Sequence, residues 1–305
     1  MHRIVRVAAI SLLLFLPACV GPQAGQDDFE AFLADGGPPR GTLVLTFFRV
    51  GLGDATLIEF PNGKTLLVDA GIGWRAREIL DYLKARGIRR LDAMLLTHPH
   101  PDHYGGMDEI LEAIEVGTFY ENGVESQAWG YRRLAGMLEK RRIPRKTLGR
   151  GDSLADLAGP EVLFDVLYPD EEARGRPGNQ NRASIVFRLE HGSLRFLFMG
   201  DAGRIEEERL ISMDRERIKC DLLKLGHHAS PGTGSSEFLE LAKPKVAVAM
   251  GTEVFDVPLF YPRPSYGIRC VLRGLGTEIL TTDSRGPIQV RSDGRDLSIR
   301  MTEGG

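Results

Sequence analysis

Cysteine, histidine and net charge are all scarce in this 305-residue chain. Its three cysteines, Cys19, Cys220 and Cys270, stand apart from one another, which excludes a cysteine knuckle as a metal site. Cys220 and Cys270 each lie in an apolar stretch, where a buried thiol and, in an oxidising compartment, a disulfide are both open. The formal net charge of -3 excludes a basic particle that coats nucleic acid by bulk charge, though not a local patch that grips phosphate. No Gly-x-Ser-x-Gly elbow marks a serine nucleophile, and no internal repeat marks a solenoid. What is present is 42% hydrophobic residues, enough for one sizeable core, and 36 glycines, which suit tight turns beside a site.

The chain opens with Arg3 and Arg6, a nearly continuous apolar run from Val7 to Leu16, and then Pro17-Ala18-Cys19. A positive start, a short apolar centre and a small residue at the end predict an export signal over 1–18, too short for a membrane span. Leu16-Pro17-Ala18-Cys19 also resembles a bacterial lipobox, which predicts lipidation at Cys19. The expectation is an exported bacterial lipoprotein, anchored on the periplasmic or cell-surface side of a membrane. Losing Arg3 and Arg6 takes the formal charge from -3 to -5. Residues 19–41, with Gly21-Pro22 and Gly36-Gly37-Pro38-Pro39, read as a flexible tether.

From residue 42 to 300 the pattern is that of one domain. Runs rich in β-branched and aromatic residues at 43–50 and 55–60 predict strands, and Pro61-Asn62-Gly63 predicts a hairpin turn into the next strand at 65–68. Residues 75–86 and 128–142 have apolar residues at helical spacing, and 266–274 predicts a further helix. Residues 91–97 form a continuous apolar run, hence a buried strand, and 222–225 another. Further strands are predicted at 162–167, 184–189, 195–199 and 245–250, with 278–281 and 288–291 closing the domain. Two halves of strands followed by helices, rich in hairpins, predict an α+β fold: an αββα sandwich, not a doubly wound parallel sheet.

The strongest chemical signal is Thr97-His98-Pro99-His100-Pro101-Asp102-His103, directly after the buried strand. Four potential ligands fall within six residues, and two prolines stiffen the backbone that carries them. A metal ion needs neutral imidazole nitrogens and carboxylate oxygens aimed at one point about 2 Å away, and this spacing can supply them. Of seven histidines, three are here and two are His227-His228, again after an apolar strand. His2 lies in the export signal and His191 in a predicted hairpin turn.

His98-x-His100-x-Asp102-His103 resembles the signature of the metallo-β-lactamase-fold superfamily. Phe48-Arg49-Val50-Gly51-Leu52-Gly53-Asp54-Ala55, Leu67-Val68-Asp69-Ala70-Gly71, Asn181-Arg182-Ala183-Ser184, Phe198-Met199-Gly200-Asp201 and Lys224-Leu225-Gly226-His227-His228-Ala229-Ser230 resemble, in order, the ComEC-type hydrolase domain. The likeness runs from Thr42 to Arg291 and implies the same sandwich, with the site along one edge. It further implies that His98 and His100 hold a first divalent ion, that Asp102, His103 and His227 hold a second, and that Asp201 bridges them. Asp69 would orient a ligand. His228 would be a further ligand, a phosphate contact or a proton donor, sharing the catalytic work with Asp102. Asn181, Ser184 and Ser230 would support the ligands or meet substrate. The chain departs from the wider pattern in lacking a histidine between the first motif and Asp201, apart from His191. Leu52 stands where the pattern has glutamine, Arg49 where it has an acidic or amide residue, and Tyr261-Pro262-Arg263-Pro264 replaces a histidine-proline pair.

Two such ions lower the pKa of a shared water and stabilise charge on attacking and leaving oxygens. The implied enzyme is a metallo-hydrolase, a phosphodiesterase or nuclease using a metal-bound hydroxide. Zinc suits the imidazoles, and manganese would tolerate a histidine-poor first site. The expected partner is a phosphodiester substrate, DNA included. Arg132, Arg133, Lys140, Arg141, Arg142, Arg145, Lys146 and Arg150 form a basic stretch that could follow a phosphate backbone, or simply a solvated helix face. The alternatives are a hydrolase of another ester, lactone, β-lactam or cell-wall phosphodiester, and a lipoprotein that binds without turnover.

Overall fold

Strands that are apolar on both faces need cover on both sides, and here each of two sheets gets it. The computed structural model describes residues 39–175, 180–251, 263–282 and 286–301, with the backbone of 5–6. Most of the predicted export signal, Cys19, the tether as far as residue 38, and Tyr261-Pro262 lie outside the described residues. The strands in chain order are β1 Val5–Arg6, β2 Leu43–Phe47, β3 Thr56–Glu59, β4 Thr65–Val68, β5 Arg90–Leu96, β6 Glu115–Glu121 and β7 Arg145–Thr147. They continue as β8 Val162–Tyr168, β9 Val186–His191, β10 Leu194–Phe198, β11 Leu222–Lys224, β12 Val246–Ala249, β13 Glu278–Thr281, β14 Ile288–Ser292 and β15 Leu297–Met301. One sheet runs β1-β15-β14-β2-β3-β4-β5-β6-β7 and the other β13-β12-β11-β10-β9-β8.

Between the sheets lies one core, from Leu43, Leu45, Phe47, Ile58 and Leu95 to Phe164, Phe187, Phe196 and Val248. Phe187 is its centre, stacked on Phe164 at 4.8 Å and on Phe198 at 4.5 Å. The outward residues Leu57, Leu67, Met94 and Leu96 of the first sheet meet the helices Ala76–Ala85, Met107–Ala113 and Trp129–Lys140. Leu197, Leu223 and Ala247 of the second meet Arg204–Asp214, Ser236–Ala242 and Tyr266–Gly274. Two sheets between two helical layers make the αββα sandwich that the pattern predicts.

Three strands go beyond the sequence reading, the first being β1, two residues of the predicted export signal that pair antiparallel with β15. β7 is a parallel edge strand of Arg145, Lys146 and Thr147, all exposed, so it has no apolar alternation to reveal it. β15 follows β14, and that hairpin returns to the first sheet, where β14 pairs antiparallel with β2. Cys220 is buried and Cys270 exposed, and both are free thiols.

Candidate metal centre

The chain reaches the site at the C-terminal ends of strands from both sheets. β4 leads into Asp69, β5 into Thr97 and His98, β10 into Asp201, and β11 into His227 and His228. Pro101 opens a short helix, Pro101–Tyr104, at its first position, where its missing N–H costs nothing. His100 is therefore held extended while Asp102 and His103 project from the first helical turn. Asp69, His227, His228 and Ala229 all have left-handed backbones, with φ of 55°, 41°, 53° and 57°. Such residues each carry about 1–2 kcal/mol of strain, which persists only where the surroundings impose it.

The side chains converge on Asp201. Its Oδ1 is 3.3 Å from Nε2 of His103, and its Oδ2 is 3.6 Å from Nε2 of His228, 3.7 Å from Nε2 of His98 and 3.8 Å from Nε2 of His227. Nε2 of His98 and Nδ1 of His100 stand 2.9 Å apart. Nε2 of His228 lies 3.3 Å from Oδ2 of Asp102. The potential ligand atoms of Asp102, His103, Asp201 and His228 all lie within 4.8 Å of one another. Behind them, Asp69 Oδ2 faces Nδ1 of His103 at 2.8 Å and accepts the Thr97 hydroxyl proton at 2.7 Å, while Oδ1 accepts the Thr97 amide. Because that hydroxyl spends its proton on Asp69, it accepts from Nδ1 of His98 at 3.2 Å, which leaves Nε2 of His98 with its lone pair. Asp69 thus orients His103 directly and His98 through Thr97. Ser184 Oγ accepts the Asp201 amide at 3.1 Å.

Burial and the neighbouring His103 hold His98 well below its ordinary pKa, so it is neutral and free to donate a lone pair. Burial likewise lowers His100 and His227. His103 and His228 go the other way: burial opposes their charge, but Asp201 with Asp69 lifts His103 well up, and Asp201 with Asp54 lifts His228 to about 9. Burial alone would raise Asp201, but His103 and His228 hold it well below the carboxylate range. Nε2 of His103, Oδ1 of Asp201 and Nε2 of His228 are buried without a hydrogen-bond partner among the described residues, and Nδ1 of His228 has only the 3.3 Å approach of Asp54 Oδ1. Such atoms are costly unless something satisfies them. A divalent cation does so, replacing the imidazole protons as the counter-charge to the carboxylates. The donor set fits metal.

The structure brings together His98, His100, Asp102, His103, Asp201 and His228, with Asp69 behind them. His227, expected at the second ion, has a side chain 38% exposed and sits at the rim, its Nε2 3.4 Å from Nδ2 of Asn181. His228, given the broader role, is the buried member of the pair. Ser230 is buried, and its amide closes the turn to the carbonyl of His227. His191 lies away in its hairpin, 2.9 Å from Ser292 Oγ. Asp54 and Lys224 were visible only as letters in motifs, yet both are buried against the site: Lys224 Nζ donates to Asp54 Oδ2, and Asp54 Oδ1 is 3.3 Å from Nδ1 of His228. The signals were a charged residue after Gly51-Leu52-Gly53 and a lysine inside an apolar strand. In the basic stretch, Arg133 pairs with Asp108 and Glu112, Arg145 with Glu121, and Arg150 with Asp214. Arg132, Lys140, Arg141, Arg142 and Lys146 carry no ion pair among the described residues.

This sandwich, with a histidine-aspartate loop at its edge and a carboxylate between two donor sets, is that of a metal-dependent hydrolase. Residues 48–252 match the metallo-beta-lactamase superfamily, and the chain belongs to it. Within that superfamily it is similar to ComE operon protein 3 of Bacillus subtilis (strain 168), 27% identical over 81% of this chain and 32% of that protein. It is also similar to competence protein ComA of Neisseria gonorrhoeae, 28% identical over 82% of this chain and again 32% of that protein. The chain therefore spans about a third of the length of these curated relatives. Among solved structures, CmlA, a diiron β-hydroxylase from Streptomyces venezuelae, shares the fold with a TM-score of 0.52 at 16% identity, covering 85% of this chain and 55% of that one.

Proposed function

We propose that the chain is an exported, two-metal phosphodiesterase whose substrate is a polynucleotide such as DNA. The observation that carries the reading is the position of Asp201, whose Oδ2 is within 3.8 Å of Nε2 of His98, His227 and His228 and whose Oδ1 is 3.3 Å from Nε2 of His103. His98, His100 and Asp201 would hold one ion. Asp102, His103, Asp201 and His228 would hold the other, so His228 and not His227 is the ligand from the His227-His228 pair. Bound ions would lower the pKa of a water and offset charge on the phosphate, and zinc suits this imidazole-rich set. His227 and Asn181, at the rim, would meet the phosphate oxygens of a substrate. Arg132, Lys140, Arg141, Arg142 and Lys146, without an ion pair among the described residues, would supply a local surface for further phosphates on an otherwise acidic protein. The competence relatives favour DNA and an envelope setting.

No helix among the described residues is long and apolar enough to cross a membrane. The attachment proposed is the lipid at Cys19, in line with the lipobox resemblance. Labelled fatty acid should enter the full chain and not Cys19→Ser. For the activity, the full chain loaded separately with zinc and manganese should cleave bis(p-nitrophenyl) phosphate and single-stranded or duplex DNA, and His100→Ala should not. Turnover of carbonyl esters or wall polymers, with phosphodiesters untouched despite stoichiometric metal, would overturn the phosphodiesterase reading.

A further inference from the structure

Asp54 and Lys224 lie 170 residues apart and come from different sheets, Asp54 just before β3 of the first and Lys224 at the end of β11 of the second. Both are almost wholly buried, Asp54 at 4% and Lys224 at 2% exposure. Lys224 Nζ donates to Oδ2 of Asp54 and, at 3.2 Å, to the carbonyl of Gly200, the residue before Asp201. The other carboxylate oxygen faces Nδ1 of His228 at 3.3 Å. The main chain of Asp54 is tied as well: its amide donates to the carbonyl of Asp102 at 3.3 Å, and its carbonyl accepts from Gly71 at 2.8 Å.

We infer that Lys224 and Asp54 are a positioning pair that fixes His228 with its proton on Nδ1 and its Nε2 lone pair toward Asp102 and Asp201. A carboxylate whose two oxygens are divided between an ammonium and an imidazole holds that imidazole in one orientation and one tautomer. Lys224 holds the second oxygen of that carboxylate and ties it to the carbonyl of Gly200, so the Asp54 carboxylate cannot turn away from His228. The pair is also a brace: it joins the loop that carries Asp102 to the strand end that carries Asp201. The arrangement repeats the way Asp69 backs His103, and the carboxylates of Asp54 and Asp69 lie together with His103, their ligand atoms within 4.8 Å of one another. It also separates two adjacent histidines: among the described residues His227 faces Asn181 and has no ion pair with a carboxylate other than Asp201.

This inference rests on the two-ion reading, and metal binding tests the two separately. Cobalt(II) is titrated into the full chain and followed by its visible absorption against a competing chelator. Asp54→Asn and Lys224→Met should weaken the second equivalent roughly 10–100-fold and leave the first within about threefold, and Lys224→Arg should recover part of the loss. In a His228→Ala background, Asp54→Asn should change nothing further. Equal weakening of both equivalents, or a full effect that survives His228→Ala, would overturn the pair's role. The unmutated zinc-loaded chain gives an independent reading through histidine nitrogen-15 correlation spectra: His228 should carry its proton on Nδ1, and the opposite tautomer would refute the inference. A chain that binds no metal at all would overturn the two-ion reading itself, and this inference with it.

Discussion

Asp69 Oδ2 stands 2.8 Å from Nδ1 of His103, an imidazole fully buried and directed through its other nitrogen at Asp201. Asp69 also holds Thr97 by amide and hydroxyl, so one carboxylate sets two histidines. Asp69→Asn is a mild change sterically, since asparagine tolerates the left-handed φ of 55°. It removes one acceptor and the charge. Metal affinity should fall roughly 10–100-fold while the metal-free protein keeps its fold. Chelator competition with circular dichroism checks both halves, and unchanged affinity would remove Asp69 from the account.

Arg132, Lys140, Arg141, Arg142 and Lys146 have no ion pair among the described residues, and salt dependence probes whether they meet phosphate. If Arg141 and Arg142 follow a phosphate backbone, Arg141→Gln/Arg142→Gln should weaken DNA cleavage and reduce its salt slope by about two. Cleavage of bis(p-nitrophenyl) phosphate, too small to reach them, should not change. Neutralising Arg145 should instead cost stability, because its guanidinium is 2.7 Å from Glu121. Equal loss on both substrates would mean that the arginines support the fold and do not hold DNA.

What could be read from the sequence was what is local. Four ligands in six residues after an apolar strand announce themselves, and the Tyr266–Gly274 helix has the predicted bounds because its apolar residues recur at helical spacing. β7 could not be read, since an exposed parallel edge strand of Arg145, Lys146 and Thr147 carries no alternation. The roles of His227 and His228 could not be read either. They are identical neighbours, and only a left-handed turn and the distant Asp54 distinguish them. The Lys224–Asp54 contact crosses from one sheet to the other, where no sequence period reaches.

Phe187 lies between two parallel rings in the core that joins the sheets. Phe187→Ala would leave a cavity that β-strands on both sides cannot close. The loss should be about 3–5 kcal/mol in urea or guanidinium unfolding. A cost under about 1 kcal/mol would mean that the sheets can approach each other, against the close packing seen here.

Glu78 accepts the Arg49 amide at 2.9 Å, and burial lifts its carboxyl to about 7 despite that bond and the charges of Arg49 and Arg75. The folded value lies above the unfolded one, so the native state keeps a proton that the unfolded chain has lost. Its stabilising contribution is full below the unfolded value near 4.5 and disappears as pH rises through about 7. Glu78→Gln keeps an acceptor for Arg49 and has no proton to lose. Relative to the unmutated chain it should gain roughly 1–2 kcal/mol between pH 5 and pH 8. Parallel pH profiles for the two proteins would show that Glu78 ionises normally.

Gly53 is where the backbone itself sets the site. Its φ is +112°, and a Cβ added there would lie 1.9 Å from the carbonyl oxygen of Asp102 and 2.8 Å from its carbonyl carbon. Both are main-chain atoms, so no rotamer change relieves the contact. Either the 51–53 loop or the loop carrying Asp102 and His103 must move, and the amide of Asp54 that reaches the same carbonyl moves with it. Gly63 is the matched control: its φ is +82°, but a Cβ there meets nothing within 4 Å. Gly63→Ala should therefore cost only the left-handed conformation, about 1 kcal/mol, and leave metal binding as it is. Gly53→Ala should lower metal affinity at least tenfold, because a displaced Asp102 loses the second ion's position. If the two alanines cost the same stability and neither touches metal uptake, the close approach of Gly53 to Asp102 has no part in building the centre.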